Sequence, residues 1–253
     1  PFVTEAMALL KICVVSSLLA LAQGFSCAFQ SPLLGLRHGS RSVPVHGLSS
    51  ARMVAEASLS TKAVFENFIE RQAGSWASER TYHYFNNPKY GDGVERSTTV
   101  FDVRALDDAG VQEVAEANKF DTSDFESCPG FSVSYYTEMK DRGEKIRAST
   151  NVVFVTEEEK VDGIIEGFYL RTSGYEWDQP TKARFTFRRG GDVGLGQLQM
   201  KTFYDEVVSV DQITLLQENT RLRRIVNFNR RPQAPADELT DATLVGFGVE
   251  VRT

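Results

Sequence analysis

Apolar and polar residues alternate along most of the chain beyond residue 75. From Trp76 to Phe85, Trp76, Ser78, Arg80, Tyr82 and Tyr84 fall on one face, with Ala77, Glu79, Thr81, His83 and Phe85 on the other. Successive side chains of a strand point to opposite sides, so this period of two predicts a strand, which Asn86-Asn87-Pro88 then turns. Further strand signals cover 97–106, 131–140, 147–156, 163–172, 182–189, 197–204, 208–216 and 220–229. Between them lie turn clusters such as Asp141-Arg142-Gly143, Asp178-Gln179-Pro180 and Gly190-Gly191-Asp192. Two segments break the rhythm. Ala63, Phe65, Phe68 and Ile69 recur at helical spacing after Ser60, with Gly74 closing the segment, and Val111, Val114 and Ala115 do the same within 107–120. Many short strands, tight connections and only two helices predict an all-β fold, a single antiparallel barrel or sandwich.

The N-terminal stretch follows a different pattern. Leu9 to Ala22 is an apolar run carrying Lys11, too short to span a bilayer comfortably, and it reads as the core of a signal peptide. Met7 reads as the start, with Pro1 to Ala6 upstream of it. After Ser26-Cys27-Ala28-Phe29 comes a segment with Arg37, Arg41, Arg52, His38 and His46, many serines and no Asp or Glu, which is transit-peptide composition. The expected organisation is 1–28 as upstream residues and signal peptide, 29–54 as a transit peptide and 55–253 as one barrel domain. Such a two-part presequence resembles those of algae whose plastids lie inside extra membranes, so a plastid is the expected destination. A secreted protein with a basic neck is the alternative.

Removing this segment takes away Lys11, Arg37, Arg41, Arg52 and Glu5, so the formal charge moves from −6 to about −9. An acidic domain argues against nucleic acid as a partner. Cys13 and Cys27 leave with the presequence, and Cys128 remains in Ser127-Cys128-Pro129-Gly130, with no basic neighbour to activate it. No internal disulfide and no multi-cysteine metal site is then available. The sequence shows no phosphate-binding glycine loop, no Ser–His–Asp arrangement and no metal-ligand spacing, so no metal is expected.

The distinctive charges lie late in the chain. Arg221 and Arg223 share one face of 220–229, whereas Arg224 joins Leu222, Val226 and Phe228 on the other. Two guanidiniums on one face repel unless an anion lies between them, and their planar forks suit carboxylates. Three readings stay open: a carboxylate-bearing ligand, an outward solvated face, or one arginine packed on a tryptophan. Asp211 lies ten residues before Arg221, either inward on an adjoining strand or on the surface. Aromatic residues such as Tyr135, Phe168, Tyr169, Tyr175 and Trp177 could line a slot for a long flat ligand or simply form the core.

Gly74-Ser75-Trp76, where a helix runs into the first strand, resembles the opening of lipocalin-like barrels, in which the indole plugs the closed end and a late arginine packs on it. Three ordered blocks extend this likeness: Gly74-Ser75-Trp76-Ala77-Ser78-Glu79-Arg80-Thr81; Tyr169-Leu170-Arg171-Thr172-Ser173-Gly174-Tyr175 with Lys182-Ala183-Arg184-Phe185; and Thr202-Phe203-Tyr204-Asp205-Glu206 with Asp211 and Asn219-Thr220-Arg221-Leu222-Arg223. Together, from about Phe65 to the end, they resemble the CpcS/CpeS-type phycobiliprotein (chromophore) lyases. The resemblance implies a lipocalin-like (calycin) barrel of about ten strands that binds a bilin non-covalently and transfers it to a cysteine of a phycobiliprotein subunit. Phycoerythrobilin is the expected pigment and phycoerythrin β the expected client. The bilin is a substrate, with no further cofactor, and a homodimer is compatible.

The same resemblance assigns Asp211 the catalytic role and places Arg221, Arg223, Arg80, Trp76, Met139, Tyr175 and Arg184 around the bilin. Asp211 stands where the family commonly has Glu, Ile225 where it has a hydroxyl residue, and the tryptophan expected near Met139 is absent. The rival reading is a plastid lipocalin-like carrier that transfers nothing covalently. A purely structural antenna-assembly factor comes third.

Overall fold

The structure is a computed structural model that describes residues 59–87, 90–121, 128–160, 162–172, 181–190, 195–204, 206–230, 239 and 241–253. The expected presequence and Tyr175 lie outside the described residues. Helix α1 (Thr61–Glu70) leads into strands β1 (Gly74–Asn87) and β2 (Gly91–Ala105), followed by helix α2 (Asp108–Ala117). Eight further strands follow among the described residues: β3 (Gly130–Met139), β4 (Lys145–Glu159), β5 (Ile164–Arg171), β6 (Thr181–Arg189), β7 (Gly196–Phe203), β8 (Val207–Gln217), β9 (Thr220–Asn229) and β10 (Ala242–Arg252). Each strand pairs antiparallel with the next, and β1 pairs with β10 as well as β2, closing a ten-stranded barrel. Closure removes both sheet edges.

The two helices have different jobs. Ser60 caps α1 by accepting from the Ala63 amide at 3.2 Å, and its apolar face carries Phe65, Phe68 and Ile69. Phe65 meets the inward rings of Phe185, Phe187 and Phe154 at 5.2, 5.1 and 5.8 Å between centroids, so α1 plugs one end of the barrel. Asp107 caps α2, in which Val114 and Ala115 are buried, and Val114 packs outside the barrel against Val153, Val155, Phe168 and Leu170 of β4 and β5. Cys128 belongs to this outer cluster, and burial pushes its thiol above the ordinary range.

The strand pattern read from sequence holds for nine strands, and β1 turns Trp76, Ser78, Arg80, Tyr82 and Tyr84 inward as its alternation predicts. The tenth was missed. β10 reverses the usual polarity: Gly246, Gly248 and Glu250 face inward, opposite Tyr82, Arg80 and Ser78, while Phe247, Val249 and Val251 are about half exposed outside. Two glycines and an inward carboxylate carry no strand signal, yet the fit requires them. A Cβ on Gly246 would stand 2.5 Å from the Tyr82 ring, and one on Gly248 would stand 2.8 Å from Arg80 Cγ.

Candidate functional site

A cavity of about 180 Å³ runs inside the barrel from Gln72 beside α1 to Tyr204 near the opposite end, the mouth. Its floor is built on Trp76, which is fully buried and donates from Nε1 to the Gln72 carbonyl at 2.9 Å. Arg221 lies over the indole, 4.2 Å from the ring centroid, while Arg252 packs on the indole at 4.7 Å. Arg221 also donates to Gln72 Oε1 at 2.8 Å and to Glu250 Oε2 at 2.5 Å. The other oxygen of Glu250 accepts from Arg80. Burial pushes the Glu250 carboxyl up, but Arg221, Arg80 and Arg223 outweigh it and bring the group down to about 2. Glu250 is therefore an anion bridging two arginines.

One pleat higher, Arg223 grips Asp211. Its Nε lies 2.9 and 3.2 Å from the two carboxylate oxygens, and Nη2 donates to Oδ2. Both side chains face the cavity and are 17% and 13% exposed, which leaves the pair within reach of a ligand. Tyr169 donates to or accepts from Thr202 nearby, and burial and Tyr204 push its phenol above the ordinary range. Near the mouth, Arg171 donates to the Tyr204 hydroxyl at 3.2 Å. The opposite rim is fastened by Glu95, which accepts two hydrogen bonds from Arg142 and one, at 3.0 Å, from Tyr84. Tyr135, Phe131 and Met139 give the β3 wall its apolar character.

The expected residues thus separate. Asp211, Arg223, Arg80 and Met139 line the cavity, and Trp76 lies beneath it. Arg221 reaches the floor but is the tryptophan's partner, which selects one of the readings left open. Neither Arg221 nor Arg223 is on an outward face. Arg184 is a correction: it sits on the outer side of β6, is 52% exposed and pairs with Glu157 at 2.5 Å. Strand alternation explains this, because Phe185 and Phe187 take the inward positions. Sequence reasoning missed Glu250, Gln72 and Arg171. Glu250 had a signal, an acidic residue in an otherwise apolar alternation, but it lay in the unrecognised strand. Among the described residues no group of His, Cys, Asp and Glu side chains could hold a metal ion.

A closed antiparallel barrel, plugged by an N-terminal helix over a buried tryptophan and carrying an arginine–carboxylate cluster in its interior, defines a lipocalin-like protein with an internal pocket. The chain belongs to the family of CpeS-like proteins, whose sequence profile it matches over residues 64–253. It is 39% identical over 187 residues to Chromophore lyase CpcS/CpeS 1 of Synechococcus sp. (strain JA-3-3Ab), covering 74% of this chain and 95% of that protein. Chromophore lyase CpcS/CpeS of Thermosynechococcus vestitus is 28% identical over 157 residues, covering 62% of this chain and 80% of that one. The solved S-type phycobiliprotein lyase CPES of Guillardia theta shares the fold, with a TM-score of 0.56 at 20% identity over 79% of this chain and 96% of its own.

Proposed function

We propose that this protein is a phycobiliprotein chromophore lyase: it holds an open-chain tetrapyrrole in the barrel without a covalent bond and passes it to a cysteine of a phycobiliprotein subunit. The observation that carries the reading is the Asp211–Arg223 pair inside an aromatic-walled cavity, in a chain 39% identical to a chromophore lyase. A bilin offers pyrrole N–H groups and propionates, so it can engage both members of that pair, the N–H groups on Asp211 and a propionate on Arg223. The client's thiolate adds to the exocyclic ethylidene carbon of the terminal ring. A C–S bond forms, the double-bond electrons move into the conjugated system, and that system takes up a proton. Asp211 orients the pyrrole nitrogens and holds a proton there, while the barrel supplies positioning rather than a nucleophile.

Phycoerythrobilin as pigment, phycoerythrin β as client and a plastid as location complete the proposal. They are supported by the resemblance of the site blocks and by the basic, acid-free segment 29–54. The half-exposed Phe247, Val249 and Val251 on the outside of β10 offer a surface for a homodimer. The test is to mix the protein, bilin and a pigment-free client subunit, then run denaturing electrophoresis with zinc-enhanced fluorescence. A lyase leaves a fluorescent client band. A carrier leaves the client dark.

A further inference from the structure

Transfer needs a sulfur anion at the mouth of the cavity, because the thiolate is the nucleophile and an ordinary cysteine titrates only near about 8.5. A neighbouring base is the common route to a thiolate. Among the described residues lining the cavity there is no histidine, and the single carboxylate, Asp211, is engaged by Arg223. On one side of the mouth Glu95 is engaged by Arg142 and Tyr84. His83 lies on the outer face of β1, its ring 6.1 Å from that of Phe247. What the mouth does present is a cation.

Arg171 is the last residue of β5, lines the cavity and shares its inward face with Tyr169, two residues earlier. Its backbone carbonyl accepts from Asn118 Nδ2 at 3.1 Å, which ties this strand end to the residue that follows α2. Its Nη2 donates to the Tyr204 hydroxyl at 3.2 Å, and its guanidinium carbon lies 5.5 Å from the centroid of that ring. The titratable groups beside it among the described residues are the phenols of Tyr169 and Tyr204, with Asp211 and Arg223 deeper on β8 and β9, and Glu95, Arg142, Tyr84 and Tyr90 on the opposite rim. Burial pushes the Tyr169 phenol up, and burial with Glu95 does the same to Tyr84, so both stay neutral at pH 7. The guanidinium keeps its proton, and a positive charge within about 4–6 Å favours the ionised form of an approaching thiol.

We propose that Arg171 is a catalytic residue of the transfer: its guanidinium meets the client's cysteine at the mouth and stabilises the thiolate against the thiol. The thiol proton passes to water. A sulfur electron pair then forms the C–S bond to the ethylidene carbon, the double-bond pair moves into the conjugated system, and that system takes up a proton. The net change is addition of S–H across the double bond, with no oxidant and no leaving group. This rests on the lyase reading and adds to it a group that acts on the client rather than on the pigment.

The test is single-turnover transfer from the bilin-loaded full chain to a pigment-free phycobiliprotein subunit, followed from about pH 6 to 9 for the wild type, Arg171→Gln and Arg171→Lys. Lowering a thiol's pKa by about one unit gives roughly tenfold more thiolate at pH 7, each about threefold less nucleophilic, so Arg171→Gln should be roughly threefold slower there and level with the wild type by about pH 9. Arg171→Lys should keep the wild-type profile, and bilin affinity should be unchanged in both variants. One measurement needs no substitution: the wild-type rate should rise with an apparent pKa about one unit below that of the free client thiol, taken from the pH dependence of its alkylation. A wild-type profile that follows the free thiol, a defect in Arg171→Gln of equal size at every pH, or a loss of bilin affinity with the profile unmoved would overturn the proposal and leave the lyase reading standing. No transfer by the wild type at any pH removes both.

Discussion

Glu250 is fully buried between Arg80 and Arg221, and its carboxyl titrates near 2 instead of the ordinary 4.5. A carboxyl whose pKa is depressed by folding stabilises the fold fully above its unfolded value and loses that contribution as pH falls through the folded value. Stability in urea should therefore hold from pH 7 to about 5, then fall between about 4.5 and 2 by on the order of 3 kcal/mol from this group. In Glu250→Gln that part of the pH dependence should vanish, at the expense of a barrel already weaker at pH 7. Arg221 and Arg223, two residues apart, should separate in the same way. Arg221→Gln leaves Glu250 with Arg80 alone and removes one of the two guanidiniums packed on Trp76, so the ligand-free Tm should fall, with roughly 3 kcal/mol of stability lost. Arg223→Gln should chiefly weaken bilin binding, by about 1.5–3 kcal/mol, because its partner Asp211 can still reach water. Equal melting losses in both variants would contradict this division. Their shared face was legible in the sequence from alternation alone. Their division of labour was not, because it depends on Glu250 and Gln72, which lie 29 and 149 residues from Arg221.

At the scale of elements, β1 and α1 were readable because local period and burial agree, and the arginine strand β9 was readable from its sequence alternation although Ile225 to Phe228 are all buried. β10 was not, because its inward positions are glycines shaped by Tyr82 and Arg80 on the neighbouring strand. Long-range fit there overrides local propensity. The same argument predicts that Gly246→Val, a favourable change by strand propensity, destabilises the barrel by about 1–3 kcal/mol through overpacking against Tyr82. Chemical denaturation measures it, and a stabilised variant would show that β10 does not approach β1 as described. Arg184 illustrates the converse error. A family-like block placed it at the ligand, and a one-residue shift in alternation puts it outside the barrel, paired with Glu157.

For the whole molecule, the architecture keeps two chemistries apart. The pocket holds the arginine–carboxylate cluster and is reached from the mouth, whereas Cys128 lies outside the barrel, packed under α2 with its thiol pushed up by burial. A thiol so placed cannot take the pigment from the cavity, so the sulfur of the product must come from the client. Coexpression of this chain with a bilin pathway and a client subunit, followed by mass mapping of tryptic peptides, tests that claim most directly. The account predicts a bilin thioether on a client cysteine, formed only when this protein is present and formed equally by its Cys128→Ser variant. A client without bilin, or an adduct that is found on Cys128 and disappears together with transfer in the variant, would contradict it.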